Sequence, residues 1–189
     1  SMELNKTLQH GINALKEGKF QEAERLYHKI LQTQPTHPVA NHNLGFTLYA
    51  LGRLKEAEAS FKKAIEFKPD YADAYYNLAL TLGKLHKLEE AEANFKKTIE
   101  FKPDYTEAYY NLGITLQKLH KLEEAEVNFK KAIALKPDYV EAYNNLGNTL
   151  KDLGKLNEAE VSYKKALALK PDYAITHNNL GSTLKDLGR

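Results

Sequence analysis

The sequence has no cysteine. That excludes disulfides, thiolate metal ligands and a cysteine nucleophile, and it fits a reducing compartment. It has no apolar run near the roughly 18 residues that a membrane-spanning helix needs. Its start, Ser1-Met2-Glu3-Leu4-Asn5, lacks the regions of a signal peptide. It has no excess of one charge: 27 basic and 25 acidic residues among 189 give a net charge of +2, whereas a nucleic-acid interface shows a basic excess on one face. No Gly-rich phosphate loop, no His-x-x-x-His pair and no Ser/His/Asp constellation is visible, and the seven histidines are scattered. These absences predict a chain without a catalytic site, cofactor or metal, binding neither nucleic acid nor membrane, and located in the cytoplasm.

What the sequence does have is a repeat. Pro35, Pro69, Pro103, Pro137 and Pro171 follow one another at a step of 34 residues. Leu44, Leu78, Leu112, Leu146 and Leu180 keep the same step, as do Ala23, Ala57, Ala91, Ala125 and Ala159. Five full units cover 4–37, 38–71, 72–105, 106–139 and 140–173, and a partial sixth covers 174–189. The expectation is a single array over residues 1–189.

In the third unit, Tyr75, Leu78, Ala79, Leu82 and Leu85 recur at the spacing of one helix face, and Leu88, Ala91, Phe95, Thr98 and Ile99 form a second stripe. His86-Lys87 separates them, and Gly18, Gly52, Gly154 and Gly188 hold the His86 position in other units. Glycine there predicts a left-handed residue closing the first helix. Pro103 stops the second helix, and Asp104 with Glu107 predicts an N-cap and capping box for the next. Each unit therefore reads as helix, turn, helix and Pro-Asp link. Such pairs bury their apolar stripes only by stacking on one another. Gly45, Ala79, Gly113, Gly147 and Gly181 on the first helices, and Ala57, Ala91, Ala125 and Ala159 on the second, mark close approaches.

These residues resemble the tetratricopeptide repeat (TPR), whose unit carries a large residue at position 4, Leu-Gly at 7–8, Ala at 20, an aromatic at 24, a small residue at 27 and Pro at 32. The fourth unit supplies Tyr109, Leu112-Gly113, Ala125, Phe129, Ala132 and Pro137. The second supplies Asn41, Leu44-Gly45, Ala57, Phe61, Ala64 and Pro69, and departs at its first position. The first is more degenerate, with His10 in place of Leu and Ile30 in place of the small residue. The resemblance spans 4–189. It implies an all-α chain: a right-handed α-solenoid whose first helices line a concave groove and whose second helices form the back. In such proteins the groove holds another protein or peptide.

Position 6, which that resemblance turns toward the groove, holds Asn43, Asn77, Asn111, Asn145 and Asn179. Asparagine costs several tenths of a kcal/mol in a helix interior, and its carboxamide both donates and accepts. An asparagine on each helix, with helices about 8–10 Å apart, could hold an extended chain advancing about 3.3 Å per residue. This is similar to the asparagine ladder in the TPR arm of O-linked N-acetylglucosamine transferase and to the groove of kinesin light chain. Duplication of near-identical units, or bonding inside the scaffold, would also place asparagine there. Positions 5, 9 and 12 add candidate peptide contacts. Phe46, Tyr49, Tyr76, Leu80, Tyr110 and Ile114 give an apolar stretch, whereas Asn144 and Asn148 make the fifth unit polar. Packing between first helices is the other reading of Tyr76 and Tyr110. Position 2 is acidic, with Asp73, Glu107 and Glu141, where the carboxylate clamp of chaperone-binding relatives needs lysine, so strong binding of acidic C-terminal tails is not expected.

On the second helices Lys62-Lys63, Lys96-Lys97, Lys130-Lys131 and Lys164-Lys165 recur, with Glu58, Glu92, Glu126 and Glu160 four residues before the first lysine. That order supports i,i+4 pairs on a solvated face. Ser1 ahead of Met2 reads as a remnant of tag removal, and a chain ending after a sixth first helix reads as part of a longer protein. Exposure of Leu180, Leu184 and Leu187 there predicts self-association through this helix. The expected function is binding of a protein or peptide partner in the groove. The alternatives are the substrate-recruiting arm of a larger enzyme, of glycosyltransferase or sulfotransferase type, and a self-assembly scaffold.

Overall fold

The computed structural model describes residues 1–189 and contains eleven α-helices and no strand. They come in pairs: α1 (Met2–Lys16) with α2 (Phe20–Thr33), α3 (Pro38–Ala50) with α4 (Leu54–Phe67), α5 (Ala72–Lys84) with α6 (Leu88–Phe101), α7 (Thr106–Lys118) with α8 (Leu122–Leu135), and α9 (Val140–Asp152) with α10 (Leu156–Leu169), followed by α11 (Ala174–Asp186). No helix is long and apolar enough to cross a membrane. The chain divides into two compact units, 1–103 and 104–189. In the first, consecutive helices from α1 to α6 pack on one another and α3 also touches α1 and α5. In the second, α7 to α11 do the same, with α9 touching α7 and α11.

The first helices end as the glycine pattern requires. In α3, Gly52 has φ of 78°; its N–H reaches the carbonyl of Tyr49 and the N–H of Arg53 reaches that of Leu48. This paired closure satisfies two carbonyls that the helix end would leave open, and it needs a left-handed residue between them. His86 and His120 adopt the same conformation, at φ of 63° and 59°, which costs a residue with a Cβ about 1–2 kcal/mol.

The links between pairs correct one expectation. The N-cap of α7 is Tyr105, not Asp104, and its side chain makes no capping bond; Tyr71 and Tyr139 cap α5 and α9 in the same way. Asp70 and Asp138 sit one residue earlier, inside a β-turn closed by Tyr71 N–H to the Lys68 carbonyl and by Tyr139 N–H to the Lys136 carbonyl. Proline fits the second position of such a turn because its ring fixes φ there. The lysine that opens the turn lies over the tyrosine that closes it, with Lys68 Nζ 4.6 Å from the Tyr71 ring and Lys136 Nζ 4.6 Å from that of Tyr139.

Within each pair a small residue receives an aromatic ring. A Cβ on Gly45 would stand 2.8 Å from the Phe61 ring, on Gly113 2.7 Å from Phe129, and on Gly147 2.5 Å from Tyr163. These rings are fully buried, among alanines such as Ala57, Ala64, Ala125 and Ala132.

Between pairs the seam is sealed by ions. Glu58 pairs with Lys62 one turn on at 2.6 Å, as expected, and also with Lys87 of the following pair at 3.2 Å. Glu126 holds Lys130 and Lys155, and Glu160 holds Lys164 and Arg189. Glu24 takes Arg53 in the same way. Glu58 and Glu126 are buried. The hydrogen bonds from Lys62 and Lys130 lead in holding their carboxyls below the usual range, against the opposing cost of burial.

Candidate peptide-binding face

The first helices turn positions 2, 6, 9 and 13 outward because positions 4, 7, 8 and 11 are committed to the core; Leu44, Leu48, Leu78 and Leu82 are buried. Position 10, occupied by Thr47, Thr81, Thr115, Thr149 and Thr183, is also buried. Each threonine hydroxyl donates to the carbonyl of the position-6 asparagine, at 2.7–3.0 Å. The asparagine side chains stay half-buried at the face.

Those asparagines are held by the scaffold. Asn77 Nδ2 meets Nε2 of His42 at 2.9 Å, and His42 Nδ1 meets Oδ1 of Asn43 at 3.0 Å. Asn145 Nδ2 donates to the Tyr110 hydroxyl at 2.9 Å, and Asn179 Nδ2 donates to Asn144 Oδ1 at 3.2 Å. In all three cases position 6 of one repeat is tied to position 5 of the preceding one. Asn111 Nδ2 donates to the carbonyl of Glu107 in its own helix at 3.0 Å. The side-chain oxygens of Asn77 and Asn145 take no hydrogen bond, so each of these rungs keeps an acceptor.

The position-5 side chains lie deeper than the sequence pattern suggests. Asn144 is 4% exposed and its Oδ1 also accepts from the Thr176 hydroxyl at 2.8 Å. Its oxygen is an internal strut between the two repeats. Tyr76 packs edge-on against Phe95 with ring centroids 5.8 Å apart, and Tyr110 stands 6.0 Å from Phe129 and 4.7 Å from Tyr139. Burial pushes the Tyr110 phenol up to about 12.

Position 9 is different. Phe46 is 42% exposed, and Leu80 and Ile114 are half-buried. In the 1–103 unit Ile12, Phe46 and Leu80 therefore form an apolar row across α1, α3 and α5. In the 104–189 unit the row runs Ile114, Asn148, Ser182, with Asn148 accepting from the Tyr163 hydroxyl at 2.6 Å. Tyr49 at position 12 lies under Lys84, whose Nζ is 4.9 Å from its ring. Across the other unit, Gln117 donates to the Asn145 carbonyl and the Thr149 hydroxyl, and Lys151 to the Ser182 hydroxyl. Sequence reasoning missed Ile12 and His42. Both lie at face positions, 9 and 5 of their units, where neighbouring units differ in residue type.

Four tetratricopeptide repeat family models match the chain, over residues 14–81, over 72–105 and again 106–139, over 128–161 and over 147–188. No curated protein matches the chain. Among solved structures, the crystal structure of MamA is 28% identical over 87% of this chain and 96% of its own, with a TM-score of 0.81. TTC0263, a thermophilic TPR protein of Thermus thermophilus, is 25% identical over 96% and 98%, with a TM-score of 0.67. YrrB, described as a TPR protein with an unusual peptide-binding site, is 23% identical over 91% and 89%, with a TM-score of 0.82. The family matches together account for residues 14–188, the fold is that of these solenoids, and the chain belongs to the tetratricopeptide repeat family.

Proposed function

We propose that the first-helix faces bind an extended segment of another polypeptide, with the asparagines bonding its backbone and the position-9 row receiving its side chains. The observation that carries this reading is the exposure of Phe46 on α3 together with an Asn77 oxygen on α5 that takes no hydrogen bond. A large aromatic left 42% exposed on a helix whose other large residues are packed is a typical anchor for a partner. The contact set is Asn43, Asn77, Phe46, Tyr49 and Leu80 on one unit, and Asn111, Asn145, Asn179, Ile114 and Asn148 on the other. This arrangement resembles the ladder of O-linked N-acetylglucosamine transferase, now with the amide nitrogens of Asn77, Asn111, Asn145 and Asn179 directed inward. YrrB's peptide-binding site belongs to that protein; at its identity the likeness speaks for the fold, so the reading rests on the side chains named. The same proposal takes residues 1–189 as one array, on the unbroken 34-residue step from Pro35 to Pro171.

A peptide-library screen on the parent and on Phe46→Ala and Asn77→Ala tests it. Peptides with apolar side chains that bind the parent and lose affinity in both variants support the reading. Absence of any binder, or equal binding by folded variants, overturns it.

A second reading, self-association, is favoured by α11. Ile175 is 51% exposed, and a Cβ at Gly181 would meet nothing within 4 Å. Light scattering that returns the mass of one chain at high concentration sinks this reading.

A further inference from the structure

His42 is the one titratable side chain that bridges two rungs. Its Nδ1 is 3.0 Å from Asn43 Oδ1 and its Nε2 is 2.9 Å from Asn77 Nδ2. A carboxamide oxygen only accepts and a carboxamide nitrogen only donates. One neutral tautomer satisfies both contacts: Nδ1 carries the proton and donates to Asn43, and Nε2 accepts from Asn77. Asn77 is thereby left with its oxygen free for a ligand, while the Asn43 carboxamide lies beside the buried Tyr27 phenol. In the 104–189 unit the residues doing the same work are Tyr110 and Asn144, which bind Asn145 and Asn179 through their nitrogens and leave both as acceptors.

We propose that His42 is a positioning residue for the peptide-binding face: its neutral imidazole, held by Asn43, fixes Asn77 with the amide oxygen free for an extended backbone, and its protonation turns Asn77 around. The inference rests on the peptide-binding reading for its consequence, but not for its geometry. An imidazolium carries N–H on both nitrogens and accepts nothing. Asn77 must then direct its oxygen inward to Nε2–H and its amide nitrogen outward, so that this rung changes from acceptor to donor. A backbone that had placed its N–H on Asn77 loses that bond.

The surroundings favour the neutral form. Phe61 of α4 and Tyr71 of the α4–α5 turn stand 5.6 and 4.9 Å from the ring, centroid to centroid. The charged group that acts on it from α5 is Asp73; Lys68 covers the Tyr71 ring rather than the imidazole. Burial lowers the His42 pKa from its ordinary value, with the Asn43 bond and Asp73 pulling the other way. Protonation therefore takes place below the usual histidine range of about 6.5.

The test begins with the free protein. Nitrogen-15 NMR of the imidazole at about pH 7.5 is expected to show the Nδ1–H tautomer, and the side-chain amide signals of Asn77 are expected to move together with His42 as the pH falls. An Nε2–H tautomer, or a His42 titration that leaves the Asn77 amide unmoved, overturns the proposal. The second arm measures affinity for a peptide selected on the parent, between about pH 7.5 and about pH 5. The parent is expected to weaken about five-fold, the size of one neutral hydrogen bond. His42→Tyr and His42→Asn, which install the side chains found at positions 110 and 144, are expected to bind with no such pH dependence. Equal pH dependence in parent and variants overturns the proposal. If no peptide binds any of the three proteins at either pH, the peptide-binding reading fails, and the NMR result still decides the geometry.

Discussion

The phenol of Tyr163 donates to Oδ1 of Asn148 at 2.6 Å, while the phenol of Tyr27, at the same place in the first repeat, is buried beside the Asn43 carboxamide without a hydrogen bond of good geometry. Burial pushes both up to about 12. The difference lies at position 9, which is Asn148 in one repeat and Ile12 in the other. A buried hydroxyl without a partner costs about 1–3 kcal/mol, and removing it recovers part of that. Tyr27→Phe is therefore expected to be neutral or stabilising. Tyr163→Phe is expected to destabilise by about 1 kcal/mol because it leaves Asn148 unmatched. Urea unfolding of the two variants compares the signs directly.

Glycine at position 8 gives opposite outcomes in different repeats. An added Cβ at Gly147 would meet the Tyr163 ring at 2.5 Å, whereas at Gly181 it meets nothing within 4 Å. Gly147→Ala is expected to cost about 1–3 kcal/mol through overpacking. Gly181→Ala is expected to gain up to about 1 kcal/mol from helix propensity. Ala79 already occupies this position in the third repeat with Phe95 still buried at 2%, so the Gly147 cost belongs at the lower end. Midpoints from chemical denaturation check the ordering.

His86 and His120 are the non-glycine residues with positive φ. Replacing either with glycine removes a Cβ from a left-handed conformation, worth about 1–2 kcal/mol. The added freedom of the unfolded chain offsets about 0.4–1 kcal/mol of it. His86→Gly and His120→Gly are each expected to raise stability by about 0.5–1 kcal/mol, visible as a higher melting temperature. A lower melting temperature in both refutes the backbone account.

Acid should loosen the seams between repeats. The carboxyls of Glu58 and Glu126 lie below their ordinary value, chiefly through the bonds from Lys62 and Lys130. A depressed folded value means that the unfolded chain takes up protons first as pH falls. Their contribution is full above the unfolded carboxylate value of about 4.3 and is lost as pH drops through the folded one. Glu58→Gln together with Glu126→Gln is expected to flatten the fall of the melting temperature below about pH 4.5. An unchanged slope counts against the seam pairs as its source.

Much of this was legible in the sequence. The 34-residue step, the apolar stripes, the glycine after each first helix and the Glu–Lys pairs of the second helices are set by neighbours in the chain, so residue spacing alone determined the helix pairs and the left-handed closures at Gly52 and His86. The apolar character of position 9 could be read there as well. The capping arrangement could not: Asp104 satisfies the pattern for a cap, but the Pro-Asp turn places Tyr105 at that point. Tertiary structure decided every relation between one repeat and the next: that Glu58 reaches Lys87, that Asn144 is a buried strut, and that His42 ties Asn43 to Asn77. Those contacts join residues about one repeat apart, and a periodic pattern gives each residue's face without giving the depth to which a neighbouring helix buries it.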